Sequence, residues 1–322
     1  MRYASIGTLE VSVLGLGCGN FGGIGSAPEL FGRGDDEPTA YALMDTAREH
    51  GISLFDTANS YGGGRSEEWV GRWLASRHAR DEIVLTTKVR NRVGPNPEDE
   101  GLSAHHIRTQ IDASLRRLGT DRVDLYLAHE PDPRVPVDET MAAFDELIRA
   151  GKVRQAGLSN YSGAQLAEAV DAANRVGAAR PVNLQSGYSL LDRSAGDDAF
   201  ATCAEHGVAF TAYSPLAGGW LAGRYRAGEP YPDGSRMTLR PEPYTQWQNF
   251  TTYQRIEDLE RTARERGVTL SALALAWVVT DPAVAAAIVG PRRPDQLLDA
   301  LGALDVRLDP TERDRLTSSF GR

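Results

Sequence analysis

The sequence predicts a (β/α)8 barrel of the α/β class, with an N-terminal β-hairpin and long loops at the carboxyl-end face of the barrel. Three observations predict it. Short runs rich in β-branched and apolar residues recur along the chain, and segments of helical period separate them. The runs are also almost unbroken in their hydrophobicity, as in a parallel sheet covered by helices. Eight such units close naturally into a barrel, with a doubly wound open sheet as the alternative.

Residues 3–11, centred on Gly7-Thr8, read as a small hairpin that precedes the first barrel strand and is suited to plug the barrel floor. The eight strand runs follow at 13–17, 52–55, 83–87, 123–127, 153–158, 182–185, 208–212 and 284–289. Helical segments with legible ends lie between them. Residues 38–50 open on Pro38 at a first-turn position and stop at Gly51; 103–118 stop at Gly119, 137–150 at Gly151 and 162–176 at Gly177. Two connections, 18–37 and 216–251, exceed the usual length of about two to six residues, and the second is rich in glycine, proline and aromatics. Both follow strands, which puts them on the face where barrel enzymes hold their sites. No internal repeat, linker or low-complexity tract divides the chain, so residues 1–322 read as one domain.

With 322 residues, 41% hydrophobic and 25% charged, the composition is that of an ordinary globular protein able to bury a full core. No run approaches the roughly 18 apolar residues of a membrane span. The start, Met1-Arg2-Tyr3-Ala4-Ser5-Ile6-Gly7, lacks the apolar segment of a secretory signal, so a cytoplasmic location is expected. A net charge of −9, from 35 basic and 44 acidic residues, argues against nucleic acid or an anionic membrane as partner and leaves room for a local basic pocket. Cys18 and Cys203 are the only cysteines and read as plain thiols, and no metal-binding motif occurs.

Chemistry gathers at strand ends. Asp56 and Tyr61 fall five residues apart in Phe-Asp-Thr-Ala-Asn-Ser-Tyr-Gly, just where the second strand run gives out. Lys88 ends the third run and His129 the fourth. The mouths of consecutive barrel strands face one another, so these four side chains are expected to converge. A phenol has an unperturbed pKa of ~10 and is a poor acid at neutral pH. A lysine cation beside it favours phenolate and is expected to lower that pKa, while an aspartate holds the lysine charged. At ~4 Å and an effective dielectric of ~20, such a pair interacts by about 4 kcal/mol. Tyr61 would then protonate a carbonyl oxygen as hydride reaches its carbon, and neutral His129 would orient that oxygen.

Any one of these residues is explained equally well as part of a structural ion pair; the four together are not. His50, His78, His105, His106 and His206 fall on helices or beside turns and read as surface or capping residues. Gly17-Cys18-Gly19-Asn20-Phe21-Gly22 fits G-x-G-x-x-G after a strand, but no helix opens at its third glycine and Asp56 comes too late to be the ribose-binding acid. Lys88 as a Schiff-base nucleophile stays open at this level.

With Asp56, Tyr61, Lys88 and His129 in this order, the chain resembles the aldo-keto reductases over almost its full length, in particular their bacterial and potassium-channel β-subunit-like branches. Leu14-Gly15-Leu16-Gly17 resembles the family's first strand, and Gly64-Arg65-Ser66-Glu67-Glu68 with Val70-Gly71 the segment after its active-site tyrosine. The resemblance implies NADPH as cofactor, a small carbonyl compound as substrate, and the four strand-end residues as the catalytic set. It assigns the nicotinamide to Ser159, Asn160 and Gln185, with Asp56 beside them and Tyr213 stacked on the ring. The pyrophosphate falls to Ser214, Pro215, Leu216 and Gly218, with Arg224 and Arg236 as phosphate contacts. The adenosine phosphate falls to Gly290, Arg292 and Gln296, and here physics agrees, since a turn leading into a helix opened by Pro294 is an anion site.

Two departures from the family pattern stand out: Ala300 where many relatives have an asparagine near adenine, and Asn59 in place of a commonly acidic residue. The sequence stops soon after its last helix, so the substrate pocket is expected to draw on loop aromatics, with Phe21, Phe31, Trp220, Tyr225 and Trp247 as candidates. The channel-subunit likeness also permits a cofactor-binding regulatory subunit with slow or incidental turnover.

Overall fold

The computed structural model describes residues 1–321. The hairpin expected at the start forms from β1 (Tyr3–Ile6) and β2 (Leu9–Ser12), turning at Gly7, whose positive φ of 56° suits the absence of a side chain. Each of the eight apolar runs then becomes a strand: β3 (Leu14–Gly17), β4 (Leu54–Asp56), β5 (Val84–Val89), β6 (Val123–Ala128), β7 (Val153–Ser159), β8 (Asn183–Gly187), β9 (Ala209–Tyr213) and β10 (Val284–Val289). All pair in parallel, and β10 pairs with both β9 and β3, so the sheet is a closed barrel rather than an open one.

Helices cover the barrel: α1 (Glu37–Glu49), α2 (Arg65–Arg77), α3 (Ala104–Leu118), α4 (Val137–Arg149), α5 (Gly163–Val176) and α6 (Ser194–His206). After β9 come the one-turn α7 (Arg236–Leu239), then α8 (Phe250–Glu265) and α9 (Leu270–Val279), with α10 (Pro294–Leu301) and α11 (Pro310–Ser319) after β10. The ends are set by side chains readable in the sequence. Asp36 accepts from the Thr39 N–H to start α1, Ser103 starts α3, and Ser162 with Gln165 forms a capping box for α5. All ten residues of α9 are buried, yet no helix among the described residues is long and apolar enough to cross a membrane.

Ile6, Leu9 and Val11 of the hairpin pack with Leu54, Leu125, Leu127, Ala286 and Ile288, and Val84, Val182 and Ala209 at strand beginnings join them. The hairpin therefore closes the amino end of the barrel and leaves the carboxyl end for the two long loops. One histidine departs from its expected place: His106 is buried on the inner face of α3, with Nε2 unpartnered among the described residues. Helical period turns it inward while its neighbour His105 points out. Among the expected pocket aromatics, Phe21, Trp220 and Tyr225 are fully buried, and Trp220 packs on Tyr225 and Tyr253. These three are core of the loops rather than pocket wall, because a long loop must bury its own apolar surface to hold a shape. Phe31 and Trp247 stay partly exposed.

Candidate active site

The ends of β4, β5 and β6 bring the four strand-end residues together. Lys88, 0% exposed, lies with Nζ against Asp56 Oδ1, donates to the Thr57 carbonyl at 3.0 Å and reaches the Tyr61 hydroxyl at 3.4 Å. His129 follows β6 directly, and its Nε2 is 3.4 Å from the same hydroxyl. Tyr61 arrives from a short turn, Tyr61–Gly64, in which Gly62, Gly63 and Gly64 have positive φ. A Cβ at Gly62 would meet the Phe21 carbonyl oxygen at 2.6 Å, so the close approach of this turn to the loop after β3 requires glycine.

Electrostatics correct one expectation. Burial holds the Tyr61 phenol above its ordinary pKa, outweighing the downward pull of Lys88, while Asp56 adds to the rise. The sequence shows a cation next to a phenol and does not show how dry the place is. Burial also disfavours the Lys88 ammonium, but Asp56 and Tyr61 more than compensate, so its pKa is raised. His129 is pushed well below its ordinary value by burial, Lys88 and Arg90, and is neutral.

Sequence reasoning missed two partners. The Asn91 side-chain amide lies 3.3 Å from His129 Nδ1 and donates to Ser26 Oγ at 3.2 Å. An N–H donor there makes Nδ1 an acceptor, so the ring proton sits on Nε2, facing Tyr61. The only signal was a polar residue three places after Lys88. Gln185 Nε2 donates to Asp56 Oδ2 at 2.8 Å, a pairing across the barrel that no local pattern announces.

The residues assigned to the nicotinamide lie against this cluster. Asn160, at φ 61°, donates to the His129 carbonyl at 2.9 Å and to Ser159 Oγ at 3.2 Å, and accepts from the Tyr213 hydroxyl at 2.8 Å. After Tyr213 the chain passes Ser214 (φ 51°), buried Pro215 and half-buried Leu216 into a turn at Gly218 (φ 63°). Arg236 is half-buried and donates to Asn20 Oδ1 at 2.6 Å, which ties the two long loops together.

Arg224, Arg292, Arg293 and Gln296 line a cavity of about 450 Å³ beside the first turn of α10, where Gln296 accepts from the Arg292 N–H at 2.8 Å. Gly290, exposed, carries the chain into this turn. Guanidinium groups at a helix N-terminus fit a phosphate, and clustered amides and a tyrosine next to the tetrad fit a nicotinamide, so the residues present suit a dinucleotide. The two departures have local explanations. Ala300 is buried against the core, and Asn59 donates to Gln110 Oε1 at 3.1 Å.

A parallel barrel with a polar cluster at its carboxyl mouth is the plan of a barrel enzyme. The Aldo/keto reductase family model matches residues 13–319, and the chain belongs to that family of oxidoreductases. It is 36% identical over 321 residues to the uncharacterized oxidoreductase YrpG of Bacillus subtilis, covering 96% of this chain and 93% of the relative. It is 35% identical over 314 residues to a probable voltage-gated potassium channel subunit beta of Arabidopsis thaliana, covering 95% and 92%. The aldo-keto reductase YhdN of Bacillus subtilis is 32% identical over 302 residues, covering 92% and 87%.

Proposed function

We propose that the chain, acting as one domain, is an NADPH-dependent reductase of aldehydes or ketones. The observation that carries the reading is the contact of Lys88 Nζ with both Asp56 and the Tyr61 hydroxyl, with His129 Nε2 3.4 Å from that hydroxyl. A bound reduced nicotinamide supplies the hydride taken up by the carbonyl carbon.

Tyr61 supplies the proton. Burial keeps the phenol protonated until the substrate oxygen gains negative charge. The proton then passes from Tyr61 to that oxygen, and the phenolate left behind is stabilised by the Lys88 ammonium 3.4 Å away. Asp56 keeps Lys88 charged. His129, with its proton on Nε2, donates to the substrate oxygen and holds it in line with Tyr61. Proton donation of this kind contributes roughly 10²- to 10⁴-fold in rate. Ser159, Asn160, Gln185 and Tyr213 bind the nicotinamide. Ser214, Pro215, Leu216 and Gly218 with Arg224 and Arg236 bind the pyrophosphate, and Gly290, Arg292 and Gln296 bind the adenosine phosphate. The same reading makes the protein a cytoplasmic enzyme of small molecules rather than a nucleic-acid or membrane binder.

Similarity to proteins named as probable channel β-subunits supports a second reading, a cofactor-binding subunit with incidental turnover. Steady NADPH consumption across a panel of aldehydes, ketones and keto-sugars separates the two. Sustained turnover on some members of the panel is expected. Tight NADPH binding with no turnover on any of them would favour the subunit.

A further inference from the structure

The cavity beside α10 holds acids as well as bases. Asp35, Asp36 and Asp233 line it together with Arg224, Arg292 and Arg293. Asp36 is committed to starting α1. Asp35 starts no helix. It is 7% exposed, and Arg292 Nε donates to its Oδ1 at 3.0 Å while its Oδ2 is buried with no hydrogen-bond partner among the described residues. Its backbone is fixed, with the N–H donating to the Asn20 carbonyl at 2.7 Å and the carbonyl accepting from the Gly22 N–H at 3.1 Å. Arg292 is engaged further by the Gly234 carbonyl, which accepts from Nη1 at 2.8 Å. An acid with half its accepting capacity unused is thus locked onto the guanidinium assigned to the cofactor phosphate.

We propose that Asp35 is a specificity determinant of the dinucleotide site: its carboxylate competes with a cofactor 2′-phosphate for Arg292 and narrows the preference for the phosphorylated dinucleotide over the unphosphorylated one. The inference rests on the reading of Arg292 given above. A phosphate bound by Arg292 shares that guanidinium with a fixed negative charge, which opposes it. A ribose 2′-hydroxyl brings no charge and can donate to a carboxylate, so the same acid does not oppose it. Discrimination is a difference between two affinities, and Asp35 lowers one of them.

Isothermal titration of the full chain with NADP⁺ and with NAD⁺ tests this in the parent, Asp35→Asn, Arg292→Met and the double variant. The ratio of NADP⁺ to NAD⁺ affinity is expected to rise roughly 10-fold in Asp35→Asn, and that rise is expected to vanish when Arg292 is also replaced. Because each ratio is taken within one protein, a partly folded preparation does not distort it, and Asp35→Ser repeats the test with a smaller side chain. An unchanged ratio, or a fall in NADP⁺ affinity, would overturn the proposal, the fall making Asp35 an orienting partner of Arg292. Binding of neither dinucleotide by the parent would overturn the cofactor reading itself, a result distinct from an unchanged ratio.

Discussion

Gln185 donates its side-chain amide to Oδ2 of Asp56 at 2.8 Å, from β8 on the opposite side of the barrel. The other Asp56 oxygen faces Lys88. Both oxygens of the buried carboxylate are therefore used, and a residue assigned to the nicotinamide is bonded to the acid that holds the lysine charged. Gln185, Asp56, Lys88 and Tyr61 thus belong to one hydrogen-bonded network.

Removing that acid leaves a buried ammonium without its counter-charge. Asp56→Asn is expected to lower stability by about 3–5 kcal/mol in urea titrations, in the range for breaking one side of a buried pair. Asp56→Asn combined with Lys88→Met is expected to recover part of that stability and none of the carbonyl reduction. A single variant as stable as the parent would show that Asp56 does not hold the lysine charge.

His129 makes stability depend on pH with a definite sign. Burial, Lys88 and Arg90 depress its folded pKa, whereas the unfolded residue takes up a proton below pH ~6.5. Its contribution is fully present above the unfolded value and is lost as pH falls from there toward the folded pKa, by up to about 1.4 kcal/mol per pH unit. Burial lowers the His106 pKa too, with the same sign, so His129→Gln removes one of two contributions. Urea midpoints at about pH 7.5 and about pH 5.5 should fall further in the parent than in the variant. Equal falls would mean that His129 is not held neutral.

A charged Lys88 is a poor nucleophile. Its raised pKa, with Asp56 and Tyr61 outweighing burial, argues against Schiff-base chemistry. Borohydride treatment with an aldehyde at neutral pH is expected to leave Lys88 unmodified by peptide mass spectrometry. A reduced adduct on Lys88 would contradict its role as a charged neighbour of Tyr61.

How much was legible follows from what each residue depends on. The strand at 284–289 was readable because a parallel strand buried on both faces is apolar throughout, and the helix ends because Ser103, Ser162 and Gly177 act locally. The meeting of Asp56, Lys88 and His129 followed from strand order, since each stands at a strand mouth. Asn91 against His129 and Gln185 against Asp56 were not legible, because side-chain pairings between non-adjacent segments leave no periodicity. The rise in the Tyr61 pKa was missed for a related reason: desolvation is a property of the assembled pocket, and the charges visible in sequence point the other way. Trp220 and Tyr225 read as pocket aromatics until their burial assigned them to the interior of the loop.

Tyr61→Phe tests the account most directly, because it removes one hydroxyl and leaves Asp56, Lys88 and His129 in place. NADPH affinity, followed by fluorescence titration, is expected to stay within about threefold of the parent, while carbonyl reduction falls roughly 10²- to 10⁴-fold. A variant that reduces the same carbonyl substrate at the parent's rate would contradict the assignment of Tyr61 as proton donor.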